Sequence, residues 1–204
     1  MLNKYTLLFS ILSVTLLAAC SDSDDDDLDS SGLDDDDQIV CSTSQASPLD
    51  ESQTQDFSND PDAPTQWELA PGSNVLSAAT GAGDVDYVSF TVDTCDMLNS
   101  ITLTAYEGSG DDNIGFVALD TGATFPFVAD DPNREELSAE LAGFSLFGTQ
   151  NISEDILALI SVQEDAIGFE LPLGPGTYTL WLNQTGPEST YSLDFSVDRV
   201  LTDS

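Results

Sequence analysis

The sequence predicts an all-β fold, an antiparallel β-sandwich with a short helical insertion, and three observations predict it. Near the C-terminus Tyr178, Leu180 and Leu182 alternate with Thr179, Trp181 and Asn183; after Gly186-Pro187, Tyr191, Leu193, Phe195 and Val197 alternate with Ser192, Asp194 and Ser196. That is period two on both sides of a turn, the pattern of a β-hairpin with one covered face and one wet face. Runs of the same period recur upstream, separated by Gly, Asp and Asn, and a period near 3.6 is confined to the stretch between Asp130 and Ile160. A lone hairpin is not stable in water, so the upstream strands supply its partner sheet.

Taken in order, the chain opens with Lys4 and an apolar run from Tyr5 to Leu17, too short and wrongly flanked for a stable membrane span. It ends in Leu17-Ala18-Ala19-Cys20. These residues resemble the lipobox of bacterial lipoproteins. The resemblance implies that residues 1–19 are a signal peptide removed on export, that Cys20 is diacylated, and that the mature protein is anchored in the cell envelope. Ser21, rather than Asp, resembles the pattern of an outer-membrane destination, with the protein facing the periplasm or the surface. Residues 20–38 contain two runs of four Asp and almost nothing apolar. Such a stretch cannot offset its ordering entropy by burial, so it is expected to be a disordered tether, about 25 Å long before self-repulsion extends it.

Residues 39–66 are polar and punctuated by proline, an extended lead-in. With Cys20 set aside, Cys41 and Cys95 are an even pair in an exported chain, and they are expected to be joined. The sandwich itself is placed at residues 67–199. Its first strands lie around Pro71-Gly72, between Trp67-Glu68-Leu69 and Val75-Leu76. Val88, Phe90 and Val92 then share one face, Ile101, Leu103 and Ala105 alternate with Thr102, Thr104 and Tyr106, and residues 114–119 form an apolar strand. Within the insertion, at about 131–160, Asp131 caps a helix opening on Pro132 that carries Leu137 and Leu141 on one face and ends at Gly143. A second helix starts at Ser153, with Ile152 stapled onto Leu157. Ile167, Phe169 and Leu171 resume strand alternation, and residues 200–204 are a polar tail.

The segments GDVDYVSFTV at 83–92 and LPLGPGTYTLWLNQTGPESTYSLDFSV at 171–197 resemble the bacterial pre-peptidase C-terminal domain, which has a GDxDYFSFTV strand early and a LPAGTYTLxV…YxLxF pair late. The stretch at 101–122 fits the middle strands of that family. The likeness runs from about Asp62 to Val197, with a longer helical stretch than the family has. It implies a jelly-roll-like sandwich of secreted and surface proteins, often found beside a peptidase, and some members bind calcium at loop ends.

Composition narrows the chemistry. Thirty-eight acidic residues face three Lys or Arg, a formal charge of −35. This excludes nucleic acid as a partner and leaves the membrane reached through the lipid anchor rather than through headgroup attraction. The chain has no His, and Lys4 is its one lysine. Ser-His-Asp, Cys-His and Ser-Lys nucleophiles are therefore absent from the mature protein, and no catalytic residue is assigned.

Two candidate sites remain. Asp84 and Asp86 with Asp111, Asp112 and Asn113 offer the oxygens a calcium ion takes, although Asp, Asn and Gly are equally turn formers and no cofactor is required. Trp181 points away from its apolar neighbours. Either it forms a platform for a carbohydrate or a protein, or the helical insertion covers it with Phe144 and Phe147 beside it. The reading is a non-catalytic envelope lipoprotein that presents a β-sandwich binding or structural module for a polysaccharide or another envelope protein. The alternative is a calcium-dependent accessory subunit of a secreted peptidase, or a carboxylate-based hydrolase.

Overall fold

The computed structural model describes residues 41–200 except 42, 44, 110–113 and 185, with the side chain of Glu135 also outside the description. The signal peptide, Cys20, the acidic tether and the calcium candidates Asp111, Asp112 and Asn113 therefore lie outside the described residues. What remains is a β-sandwich of nine strands. β1 (Leu49–Asp50), β3 (Gly72–Gly81), β5 (Asp96–Gly108) and β9 (Glu188–Arg199) form a four-stranded sheet in the order β1-β3-β9-β5. β2 (Thr65–Glu68), β4 (Asp86–Val92), β6 (Gly115–Thr121), β7 (Gly143–Phe147) and β8 (Gly176–Gln184) form a five-stranded sheet in the order β2-β4-β8-β6-β7. Every pairing is antiparallel except those of the short edge strands β1 and β2, which run parallel to β3 and β4.

From β3 to β6 the chain changes sheet at each step, the jelly-roll habit, and it changes again between β8 and β9. Here the expectation of a terminal hairpin fails. β8 pairs with β4 and β6, whereas β9 pairs with β3 and β5. Leu180 and Leu182 point inward from one sheet and Leu193, Phe195 and Val197 point inward from the other, so the two strands face each other across the core. In that core Phe195 meets the edges of Trp67 and Phe90 at centroid distances of 4.9 and 5.4 Å.

Cys41 and Cys95 are joined, tying the lead-in to the start of β5. The lead-in contributes Phe57 to the core, and Ser47 accepts a hydrogen bond from the Trp67 indole at 2.9 Å.

Several local expectations are corrected. A bulge between Leu103 and Ala105 turns Tyr106 inward to 4% exposure, so it leaves the polar face that simple alternation assigns it. Helix in the insertion is confined to α1 (Arg134–Leu137) and α2 (Ile156–Ser161) with short 3-10 turns. Asp155, not Ser153, caps α2, its Oδ1 accepting from the Leu157 and Ile101 amides, and Ile152 stays exposed. Gly143 opens β7 instead of ending a helix: a Cβ there would lie 2.3 Å from the Ile160 carbonyl oxygen, so only glycine lets α2 seat against this strand. Finally, Ile167 is 72% exposed and no strand forms at residues 167–171.

Candidate functional site

Two constellations stand out, one on each side of the five-stranded sheet. The first is an aromatic cavity on its outer face. Trp181 projects from β8 toward this face and is 5% exposed, because the connection between β6 and β7 folds back over it. Phe125 and Phe127 from that connection pack against the indole at centroid distances of 5.8 and 5.7 Å, Phe116 of β6 at 4.8 Å, and Tyr87 of β4 stacks on it at 6.4 Å. The Tyr87 hydroxyl, its pKa pushed up to about 12 by burial, donates to the Phe127 carbonyl and pins the cover.

Trp181 is therefore covered rather than laid out as an open platform. Phe144 belongs to the cover, as the second of the sequence alternatives has it. Phe147 does not: it faces the opposite way, in the inter-sheet core beside Tyr106 and Tyr191. Sequence alternation locates Trp181, but Phe125 and Phe127 lie in a loop whose pattern carries no signal of where it docks.

The cover leaves an opening of about 330 Å³ lined by Phe116, Phe127, Phe144, Leu146 and Trp181. The polar residues Arg134, Ser138 and Asn183 border the same space. Arg134 of α1 is exposed and gives one hydrogen bond to the Ala129 carbonyl. Asn183 accepts from the Gln184 amide. Gln184 also borders the opening, but its side chain turns to the inner face of the sheet and donates to the Gly81 carbonyl of β3 through Nε2. The Trp181 indole nitrogen is buried with no partner among the described residues. Buried polar atoms are ordinarily satisfied, so an orphan beside the opening marks it out.

The second constellation is acidic. Asp86 opens β4, is 0% exposed, and accepts a hydrogen bond from the Tyr191 hydroxyl of the opposing sheet through one carboxylate oxygen; the other is buried with no partner among the described residues. Glu51, just after β1, accepts from the Phe57 and Ala79 amides at 2.9 and 2.7 Å. Glu51, Asp56 and Asp86 each place an oxygen within 4.8 Å of the others, and Asp84 holds a further unpartnered oxygen.

Burial pushes the Asp86 carboxyl from its ordinary 3.8 up to about 8, with the negative charges of Glu51, Asp84 and Asp56 adding to the rise and the Tyr191 hydroxyl opposing it. Tyr191 is driven well above the tyrosine range by its own burial and by the Asp86 charge. Glu51 is raised, chiefly by burial. Of the sequence candidates for a cation among the described residues, Asp86 alone falls in this cluster, while Asp84 accepts from the Gly81 amide in its own turn and acts on Asp86 through its charge. The nearest described companions of Asp86 are Glu51 and Asp56 of the lead-in, which sequence spacing does not single out.

No family model and no curated protein matches the chain. Among solved structures, PliG, a periplasmic inhibitor of g-type lysozyme from Salmonella Typhimurium, aligns at 11% identity over 66% of this chain and 98% of that chain, with a TM-score of 0.31. A likeness that distant carries no argument about function.

Proposed function

We propose that the chain is a non-catalytic lipoprotein of the cell envelope, held to the outer membrane by acyl chains on Cys20. Its sandwich, of pre-peptidase C-terminal type, is a binding module displayed on the acidic tether. The observation that carries this reading is the aromatic cavity over Trp181: several rings and an unsatisfied indole nitrogen at one opening form a concave, mostly apolar pocket with a few convergent polar groups. A polysaccharide or an envelope protein would enter it by one residue or end group, because the indole is not presented as a flat face.

The test is a thermal melt of the chain from Ser21 to Ser204 against soluble envelope glycans and small apolar compounds. At least one should raise Tm in the wild type and not in Leu146→Asp, which puts a charge on a rim residue that is 56% exposed. A panel that moves neither protein sinks the reading. Labelled palmitate on the full-length chain, lost in Cys20→Ala, is the companion control for the anchor.

A second reading rests on the unpartnered oxygen of Asp86. Carboxylates from the lead-in and from β4 would together supply part of the oxygen shell of a calcium ion, so that the cation clamps the lead-in to the sandwich. Protons compete for those oxygens. Calcium should therefore raise Tm at pH 8 by more than at pH 5, and Asp86→Asn should erase the response. Melting that ignores calcium at both pH values removes this reading and leaves the first untouched.

A further inference from the structure

We infer that the cavity over Trp181 takes a small amphipathic carboxylate, its apolar body lying among Phe116, Phe127, Phe144 and Trp181 and its carboxylate meeting Arg134. This deepens the binding-module reading and rests on it. The charge ledger of the chain points to Arg134. After Lys4 in the leader, the sequence carries two cations, Arg134 and Arg199. Arg199 is committed, donating to both oxygens of the buried Asp96 at 2.9 and 3.3 Å. Among the described residues Arg134 has no ion-pair partner, although the chain is acidic throughout. Its guanidinium gives one described bond, to the Ala129 carbonyl, so donors of its planar fork remain for a ligand.

The setting of Arg134 adds to this. The exposed guanidinium stands at the mouth of an apolar opening, where a carboxylate would be met by a rigid donor fork while the rest of the ligand leaves water. The Trp181 N–H offers a donor to a ligand that carries a polar atom further in. A volume of about 330 Å³ suits a single ring or a short chain and excludes a folded partner. A quaternary ammonium is the rival occupant, since aromatic rings attract cations and the net charge would draw one in. Arg134 at the same opening opposes it. At physiological ionic strength a charge in contact outweighs charges more than about 8 Å away.

The experiment uses the chain from Ser21 to Ser204 labelled with 5-fluorotryptophan, which gives one 19F resonance each for Trp67 and Trp181, assigned through Trp67→Phe or Trp181→Phe, whichever folds. Three probes share one body: 3-phenylpropionate, 3-phenylpropionamide and 3-phenylpropyltrimethylammonium. The Trp181 resonance should shift with the acid at half-saturation about tenfold lower than with the amide, the difference between a charged and a neutral hydrogen bond. The ammonium should bind most weakly, and Arg134→Gln should bring the acid to the level of the amide without changing the amide. Equal acid and amide, a tightest ammonium, or an acid preference that survives Arg134→Gln would overturn the carboxylate assignment while leaving the cavity a binding site. If no probe moves the resonance, both this inference and the cavity as the binding site fall.

Discussion

Raising the pH from about 4 to about 8 should destabilise the folded chain, and Asp86→Asn should remove most of that loss. The sign follows from the proton count. Asp86 has a folded-state pKa of about 8 against an ordinary 3.8, so across that window the unfolded chain has released a proton that the folded chain still holds. Whenever the native state binds more protons than the unfolded one, stability falls as pH rises. Below about pH 4 both states are protonated and burial of a neutral acid costs least; above about 8 both are ionised and the full cost of a buried charge is present.

At about 1.4 kcal/mol per unit the whole shift corresponds to roughly 6 kcal/mol, an upper figure. The other carboxylates build up their mutual repulsion mainly below pH 5, so the interval from pH 6 to 8 reports on Asp86, with a smaller share from Glu51, which is also raised. Asn keeps an oxygen for the Tyr191 hydroxyl and carries no charge. The variant should equal wild type near pH 4 and exceed it by a few kcal/mol at pH 8 in urea denaturation. A wild-type curve that is flat between pH 6 and 8 would show that the carboxylate ionises freely and that the acidic cluster is more solvated than its burial indicates.

The residues that make this cluster also mark where sequence reasoning stops. Val88, Phe90 and Val92, and likewise Leu193, Phe195 and Val197, announce their faces, because a strand has a period of two and its inward side chains are apolar. Period two does not say which strand lies alongside. The terminal pair reads as a hairpin, yet β8 and β9 sit in opposite sheets, since a short turn can join two strands within a sheet or hand the chain from one sheet to the other with the same alternation on each side. Tyr106 defeats the rule for a related reason: one bulge inverts the face of everything beyond it.

The candidate sites are legible to a lesser degree. Trp181 stands out because it interrupts the polar face that Thr179 and Asn183 share. What it touches depends on Phe125 and Phe127, which sit in an irregular connection without periodicity. Asp86 stands out as part of GDVDY, but its burial depends on Glu51 and Asp56 arriving from the lead-in some thirty residues upstream. Pairing of Cys41 with Cys95, by contrast, is expected from the pair of cysteines left once Cys20 is set aside, and it holds.

That bond supports the remaining large effect. The two cysteines are 54 residues apart, and closing a loop of that length removes enough freedom from the unfolded chain to stabilise the fold by about 4 kcal/mol in the chain-entropy model. Cys41→Ala with Cys95→Ala should lower the unfolding free energy by that order, and reduction of the wild type by a phosphine should lower it comparably, less whatever the small cavity at the buried Cys95 adds in the variant.

The more informative readout is whether this loss adds to that of Asp86. Glu51 is ten residues beyond Cys41 and is held by its own bonds to the Phe57 and Ala79 amides, with Phe57 sunk in the core. The cluster should therefore outlive the disulfide, and the pH 6 to 8 slope should be the same in reduced and oxidised protein, as for separate sites whose effects add. If the slope instead collapses on reduction, the cystine is what keeps Glu51 and Asp56 against Asp86. The lead-in would then be a strap held at one end, with the acidic cluster existing only while that end is tied.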